Sequence, residues 1–132
     1  MYRLIGRLAV PCSNAEDWIK AMHEADWPKN KDASRVGLTT VEPLHVSTVF
    51  IWLDHAWEGE PQLFETMIFG DCEDNYQERC STWDQAEQMH AKAVAFATEL
   101  VRKSASALAE LDAVRRAGYG LPGVPKPPEG DA

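Results

Sequence analysis

No apolar run in this sequence approaches the roughly 20 residues that a membrane-spanning helix needs. The N-terminus, MYRLIGRLAV, breaks its apolar residues with two arginines and lacks the layout of a signal peptide. A cytoplasmic protein with no membrane contact is therefore expected. Cysteine is scarce: Cys12, Cys72 and Cys80 cannot all pair within one chain, and none belongs to a CxxC. Free thiols are expected, not a disulfide framework or a thiolate metal site. There is no phosphate-cradling glycine loop, nucleophile elbow, HExxH or zinc-finger spacing. No catalytic residue, metal ligand or cofactor is assigned on motif grounds. Base is also missing from a long window: between Asp54 and Glu87, Arg79 stands alone against ten acids. That window carries −9 of a net charge of −8, so the rest of the chain sums to +1. Such a surface repels nucleic acid and invites a basic partner.

What is present is organised around His45–Gly70, where two apolar runs flank a polar loop. Val46–Leu53 places Val46, Thr48, Phe50 and Trp52 on one face and Val49, Ile51 and Leu53 on the other. A strand apolar on both faces belongs in the middle of a sheet. Leu63–Phe69 splits into Leu63, Met67 and Phe69 against Phe64, Thr66 and Ile68, which suggests its antiparallel neighbour. Upstream, Tyr2–Val10 alternates as one half-buried strand. Ser13 and Glu16 have capping-box spacing, ahead of a helix with Ala15, Trp18, Ile19 and Met22 on one face. Val36–Val41 forms a hairpin with the central strand through a Glu42-Pro43 turn. Gly70–Cys80 reads as an acidic connection.

A second capping box, Thr82–Gln85, opens a helix whose stripe runs Trp83, Ala86, His90, Ala93, Ala97, Leu100 and onward to Val114. Running to Arg116 it would span roughly 50 Å at 1.5 Å per residue, against a radius of gyration near ~14 Å for such a domain. It must break near Ser104–Ser106 or meet another subunit, with a homodimer through 97–116 as the simplest supplier. The fold class is α+β: a small antiparallel sheet in β-α-β-β-β-α order, packed on helices, with a long C-terminal helix. One domain is expected over 1–117, followed by a proline- and glycine-rich tail over 118–132. From Ala15 the order matches a double-stranded-RNA-binding domain, but the charge argues against that function. Phe50, Trp52, Phe64, Ile68 and Leu100 are the expected core.

Three constellations carry possible chemistry. Asp54, His55, Glu65 and His90 hold the right groups for an acid–base or metal site, without a diagnostic spacing; the bland alternative is a strand-closing carboxylate and a packed histidine. Tyr76, Arg79 and Trp83 form an aromatic–basic group at the start of the long helix. The acidic window supplies a partner-binding set, Glu58, Glu60, Asp71, Glu73, Asp74 and Glu78, which also reads as plain solvated surface.

At Ser47-Thr-Val-Phe, Leu53-Asp-His, Leu63-Phe-Glu-Thr-Met, Phe69-Gly, Tyr76-x-x-Arg79 and Thr82-Trp-x-x-Ala86-x-x-x-His90, the sequence resembles a group of small bacteriophage and prophage proteins. The likeness covers about Val46 to Ala95. It implies a phage or mobile-element gene product and carries no reaction to transfer. In that context the acidic window resembles small acidic proteins, anti-CRISPR proteins among them, that occupy the nucleic-acid channel of bacterial defence complexes. The leading expectation is a non-enzymatic, phage-derived interaction protein that uses the Asp54–Glu87 face, with inhibition of a defence complex by nucleic-acid mimicry as its finer form. Its partner would be a basic nucleic-acid-binding protein or complex of the bacterial host, with no direct contact to nucleic acid. An enzyme using Asp54, His55, Glu65 and His90, and an assembly protein joined through the long helix, are the alternatives.

Overall fold

A computed structural model describes residues 1–70 and 76–118. Two compact units divide the chain, Met1–Thr98 and Glu99–Ala132. The first holds β1 (Tyr2–Ile5), β2 (Leu8–Pro11), α1 (Ala15–Glu24), β3 (Arg35–Val41), β4 (Leu44–Phe50), β5 (Phe64–Phe69) and β6 (Gln77–Cys80). The final helix, α2, runs unbroken over Trp83–Arg116, so of the two alternatives the break near Ser104–Ser106 does not occur. The class is α+β, as the sequence indicates, but the strand order differs in two places.

The single N-terminal strand is in fact a hairpin, β1–β2, with Ile5 opposite Leu8. Gly6, at φ 62°, takes the first central position of its two-residue turn, where type II′ geometry favours glycine. Secondly, β6 lies inside the expected acidic connection and pairs with β5, completing a four-stranded antiparallel sheet in the order β3-β4-β5-β6. This fourth strand also removes the match to the α-β-β-β-α order. Both central strands are where the apolar runs place them, with β4 flanked on each side.

The sheet's inner face carries Val46, Thr48, Phe50, Phe64, Thr66 and Ile68, all buried. Against it lies the first half of α2, through Ala86, Met89, Ala93 and Ala97. Those alanines let the helix approach closely. Phe50 and Phe64 are directly opposite across β4–β5, ring centroids 5.4 Å apart, and the edge of Trp83 meets Phe64 at 6.1 Å. The α2 capping box forms as expected: the Thr82 hydroxyl accepts from Gln85 N–H at 3.1 Å, and Gln85 Oε1 accepts from Thr82 N–H at 3.2 Å. At α1 the cap shifts by one residue: Asn14, not Ser13, accepts from Asp17 N–H at 2.8 Å. Both are good cap residues, and a frame beginning at Asn14 leaves Ala15 inside the helix.

Trp52 ties the N-terminal elements to the sheet. Its carbonyl accepts from Tyr2 N–H at 2.9 Å and from Trp18 Nε1 at 3.0 Å, while its own Nε1 donates to Ser34 Oγ at 3.1 Å. Its φ of 65° is costly for a bulky residue, about 1–2 kcal/mol. It is maintained because the buried ring packs on Phe50 and Trp27. Trp52 is therefore core, and the strand ends at Phe50 because the chain turns at this residue. Phe50, Trp52, Phe64 and Ile68 are buried as expected; Leu100, expected beside them, is half-buried in the second unit. The tail from residue 119 onward lies outside the described residues.

Candidate functional site

Asp54 and His55 open the loop after Trp52, and the loop is closed at its base by the Asp54 carboxylate and one backbone hydrogen bond. Asp54 Oδ1 accepts from Ala56 N–H at 2.8 Å and from Gln62 N–H at 2.9 Å, and His55 N–H donates to the Gln62 carbonyl at 3.3 Å. The bond from Ala56, then that from Gln62, holds the Asp54 carboxyl below the usual aspartate range. A carboxylate used this way is a structural clasp.

The other members of the acid–base set lie elsewhere. Glu65 sits on the outer face of β5, where its Oε2 accepts from Arg79 Nε at 2.9 Å and Gln77 Nε2 at 2.7 Å. His90 is on the inner side, between Thr39 Oγ1 (2.8 Å from Nε2) and Thr48 Oγ1 (2.7 Å from Nδ1). Burial lowers its pKa. The sheet separates Glu65 from His90, so the four side chains do not share a site. Among the described residues no three His, Cys, Asp or Glu side chains are grouped to hold a metal ion. Cys80 is a poor nucleophile, because burial pushes its thiol up to about 11.

Tyr76, Arg79 and Trp83 are likewise dispersed. Tyr76 packs on Phe96 at 5.0 Å, Arg79 pairs with Glu65, and Trp83 lies under Arg7 at 5.5 Å. Several acids of the window are also already partnered. Glu78 receives Lys92 Nζ at 2.9 Å, and Glu87 accepts from Trp83 Nε1 at 2.8 Å. Glu58 and Glu60 are exposed on the clasped loop. Asp71, Glu73 and Asp74 lie outside the described residues.

Between the two exposed glutamates and the clasp stands a residue the sequence reading passed over. Trp57 is 97% exposed, in a protein whose buried Trp52 shows what the same side chain does in a core. Its signal in the sequence is the pattern Ala56-Trp-Glu-Gly-Glu60: an aromatic among acids, just before a loop glycine. The loop 54–62 thus presents Trp57, Glu58 and Glu60 together, on a base held by three hydrogen bonds, two to the Asp54 carboxylate and one between backbone groups. Removing the clasp should loosen this loop without unfolding the sheet. Asp54→Ala is expected to raise amide exchange at Ala56 and Gln62 and to shift the melting midpoint only slightly. The wild-type loop should behave likewise in acid. Asp54 is held below its unfolded value, so its contribution is complete above the usual aspartate range and is lost as pH falls through the depressed folded value.

These features define an α+β protein with a clasped acidic–aromatic loop. No helix among the described residues is long and apolar enough to cross a membrane. Comparison with protein-family models, curated proteins and solved structures finds no match.

Proposed function

We propose that this chain is a non-enzymatic interaction protein that docks on a basic protein surface through loop 54–62. Trp57 is the apolar anchor, and Glu58 and Glu60 form the acidic flank. The observation that carries this reading is the full exposure of Trp57 on a closed loop. Lone exposed apolar residues are ordinary, but tryptophan dominates binding hot spots. A loop whose ends are already tied loses less freedom on binding. Support for a basic partner comes from the flanking acids and from the −9 window.

The finer reading rests on the phage resemblance: an inhibitor of a bacterial defence complex of CRISPR–Cas type, occupying its nucleic-acid channel. Asp71, Glu73 and Asp74 contribute to the negative charge of the sequence window in that reading, while Glu78 is already engaged by Lys92.

The test is binding to nucleic-acid-binding proteins of the bacterial host, with parent and variants side by side. Trp57→Ala should cost about 2 kcal/mol or more, roughly a 30-fold loss of affinity, with the melting midpoint unchanged. Single acids should matter little, since exposed pairs contribute about 0–1 kcal/mol. Joint reversal of Glu58, Glu60, Asp71, Glu73 and Asp74 to lysine should abolish binding. Binding should weaken with salt and be competed by the partner's nucleic acid. Unchanged affinity in Trp57→Ala would sink the docking loop, and unchanged affinity in the five-fold reversal would sink the mimicry.

A further inference from the structure

We infer that the outer edge of β3, which pairs with no strand but β4 among the described residues, is the contact through which two copies of this chain join into one continuous antiparallel sheet. This inference is independent of the docking loop. Which backbone groups face the edge follows from register. In an antiparallel ladder the residues of one strand point their N–H and C=O alternately to one neighbour and to the other. Ile51 N–H donates to the Leu63 carbonyl and Ile68 N–H to the Tyr76 carbonyl, which fixes that alternation for the whole sheet. The odd-numbered residues of β4 bond to β5, and its even-numbered ones to β3. Gly37, Thr39 and Val41 therefore bond inward to β4, while Leu38 and Thr40 direct their N–H and C=O outward. On β6 the outward residues are Gln77 and Arg79.

The two edges differ in chemistry. β6 is four residues long, and Glu78 and Arg79 put charge on it, which is how proteins ordinarily blunt an edge. β3 is seven residues long, and from Val36 to Val41 it contains no charge and no proline. Its irregularity, between Arg35 and Gly37, is confined to the strand's beginning. Leu38, on the outer face of this edge, is 54% exposed. An edge of this kind pairs with another strand.

The strand is complementary to itself. A two-fold axis at Thr39 sets Leu38 of one copy against Thr40 of the other, a hydrogen-bonded pair that exchanges both backbone bonds, and the symmetric pair doubles it. Leu38 of each copy then extends the apolar surface formed by Val49 and Met67. Arg35 begins the strand and Glu42 follows its end. Antiparallel pairing brings each Arg35 within one residue of register of the other copy's Glu42, whereas parallel pairing would set like charges together. Thr39, whose hydroxyl is held by His90, meets its symmetry mate on the inner face.

Light scattering on the full chain at high micromolar concentration should give twice 14.8 kDa. Thr40→Pro removes an outward N–H and an exposed hydroxyl contact to His45 Nδ1 at 3.1 Å, but no hydrogen bond of the β3–β4 ladder, and should give the monomer mass. Leu38→Lys, at an exposed side chain, should do the same and decides the matter if the proline variant does not fold. Leu111→Glu, on the second half of α2, and Trp57→Ala should both remain dimeric. A monomeric wild type overturns the inference. So does a dimer that survives Leu38→Lys and is lost in Leu111→Glu, which would assign the contact to the long helix. Loss of partner binding in Trp57→Ala with the dimer intact separates this surface from the docking loop.

Discussion

Phe64→Ala and Phe50→Ala are each expected to lower stability by about 3–5 kcal/mol, a large part of the 5–15 kcal/mol typical of a domain. Both side chains are fully buried and opposite one another on β4 and β5. The cost depends on whether the neighbours can close over the missing ring, and here they are restrained. Trp52 lies 5.1 Å from Phe50 and is held by its Nε1 bond to Ser34. Trp83 is held against Phe64 by its Nε1 bond to Glu87. Because the two phenylalanines touch, the double variant should cost less than the sum. Phe69→Ala, at a 49% exposed position on the outer face, should stay within about 1 kcal/mol. Urea unfolding measures this as a shift in midpoint at constant slope. Losses below about 1 kcal/mol at both Phe50 and Phe64 would show that the β4–β5 pair is not the centre of the core.

Much of that core could be read from the chain because its signals are local. The odd–even split of Val46–Trp52 and of Phe64–Ile68 separates two faces in the sequence, and the inner set of each is buried in the fold. Thr82 and Gln85 have the spacing of a capping box and form one. What escaped has physical reasons. A two-residue turn preserves the odd–even alternation of the strands it joins, so Tyr2, Leu4, Leu8 and Val10 read as one strand across Gly6-Arg7. β6 is an edge strand made of Gln, Glu, Arg and Cys, and its polarity conceals it from any hydrophobic pattern. For the candidate site, the acids were visible and their partners were not. Glu65 meets Arg79 and Glu78 meets Lys92 only after strands and helix have assembled. Trp57 was hidden for the opposite reason: composition assigns tryptophan to a core, and only the fold shows this one left outside.

His90→Ala should cost about 2–3 kcal/mol, although the residue is no part of the proposed docking loop. Its ring is the link in a polar chain inside an otherwise apolar layer: Thr39 at Nε2, Thr48 at Nδ1, and Thr66 beyond Thr48 at 2.5 Å. Truncation leaves the Thr39 hydroxyl without its bond and opens a space between helix and sheet. The same ring explains Gly37. A Cβ there would stand 2.9 Å from His90 Cδ2 and Nε2, and a ring bonded at both nitrogens cannot easily swing aside. Gly37→Ala should therefore cost about 1–3 kcal/mol by overpacking. In the double variant the histidine is gone and the added methyl has room, so the combined loss should be smaller than the sum. A strictly additive double variant would show that the ring does not set the space at Gly37. The histidine also predicts a pH dependence. Burial holds its folded pKa below the ordinary 6.5, so the unfolded chain takes up a proton first. Stability should fall as pH drops from about 6.5 towards the lowered folded value, then level off. The cause is desolvation and not lost geometry, because a threonine hydroxyl accepts from an imidazolium N–H as readily as it donates to a neutral ring. Denaturation midpoints across that range should slope in the wild type, and this part of the slope should vanish in His90→Ala.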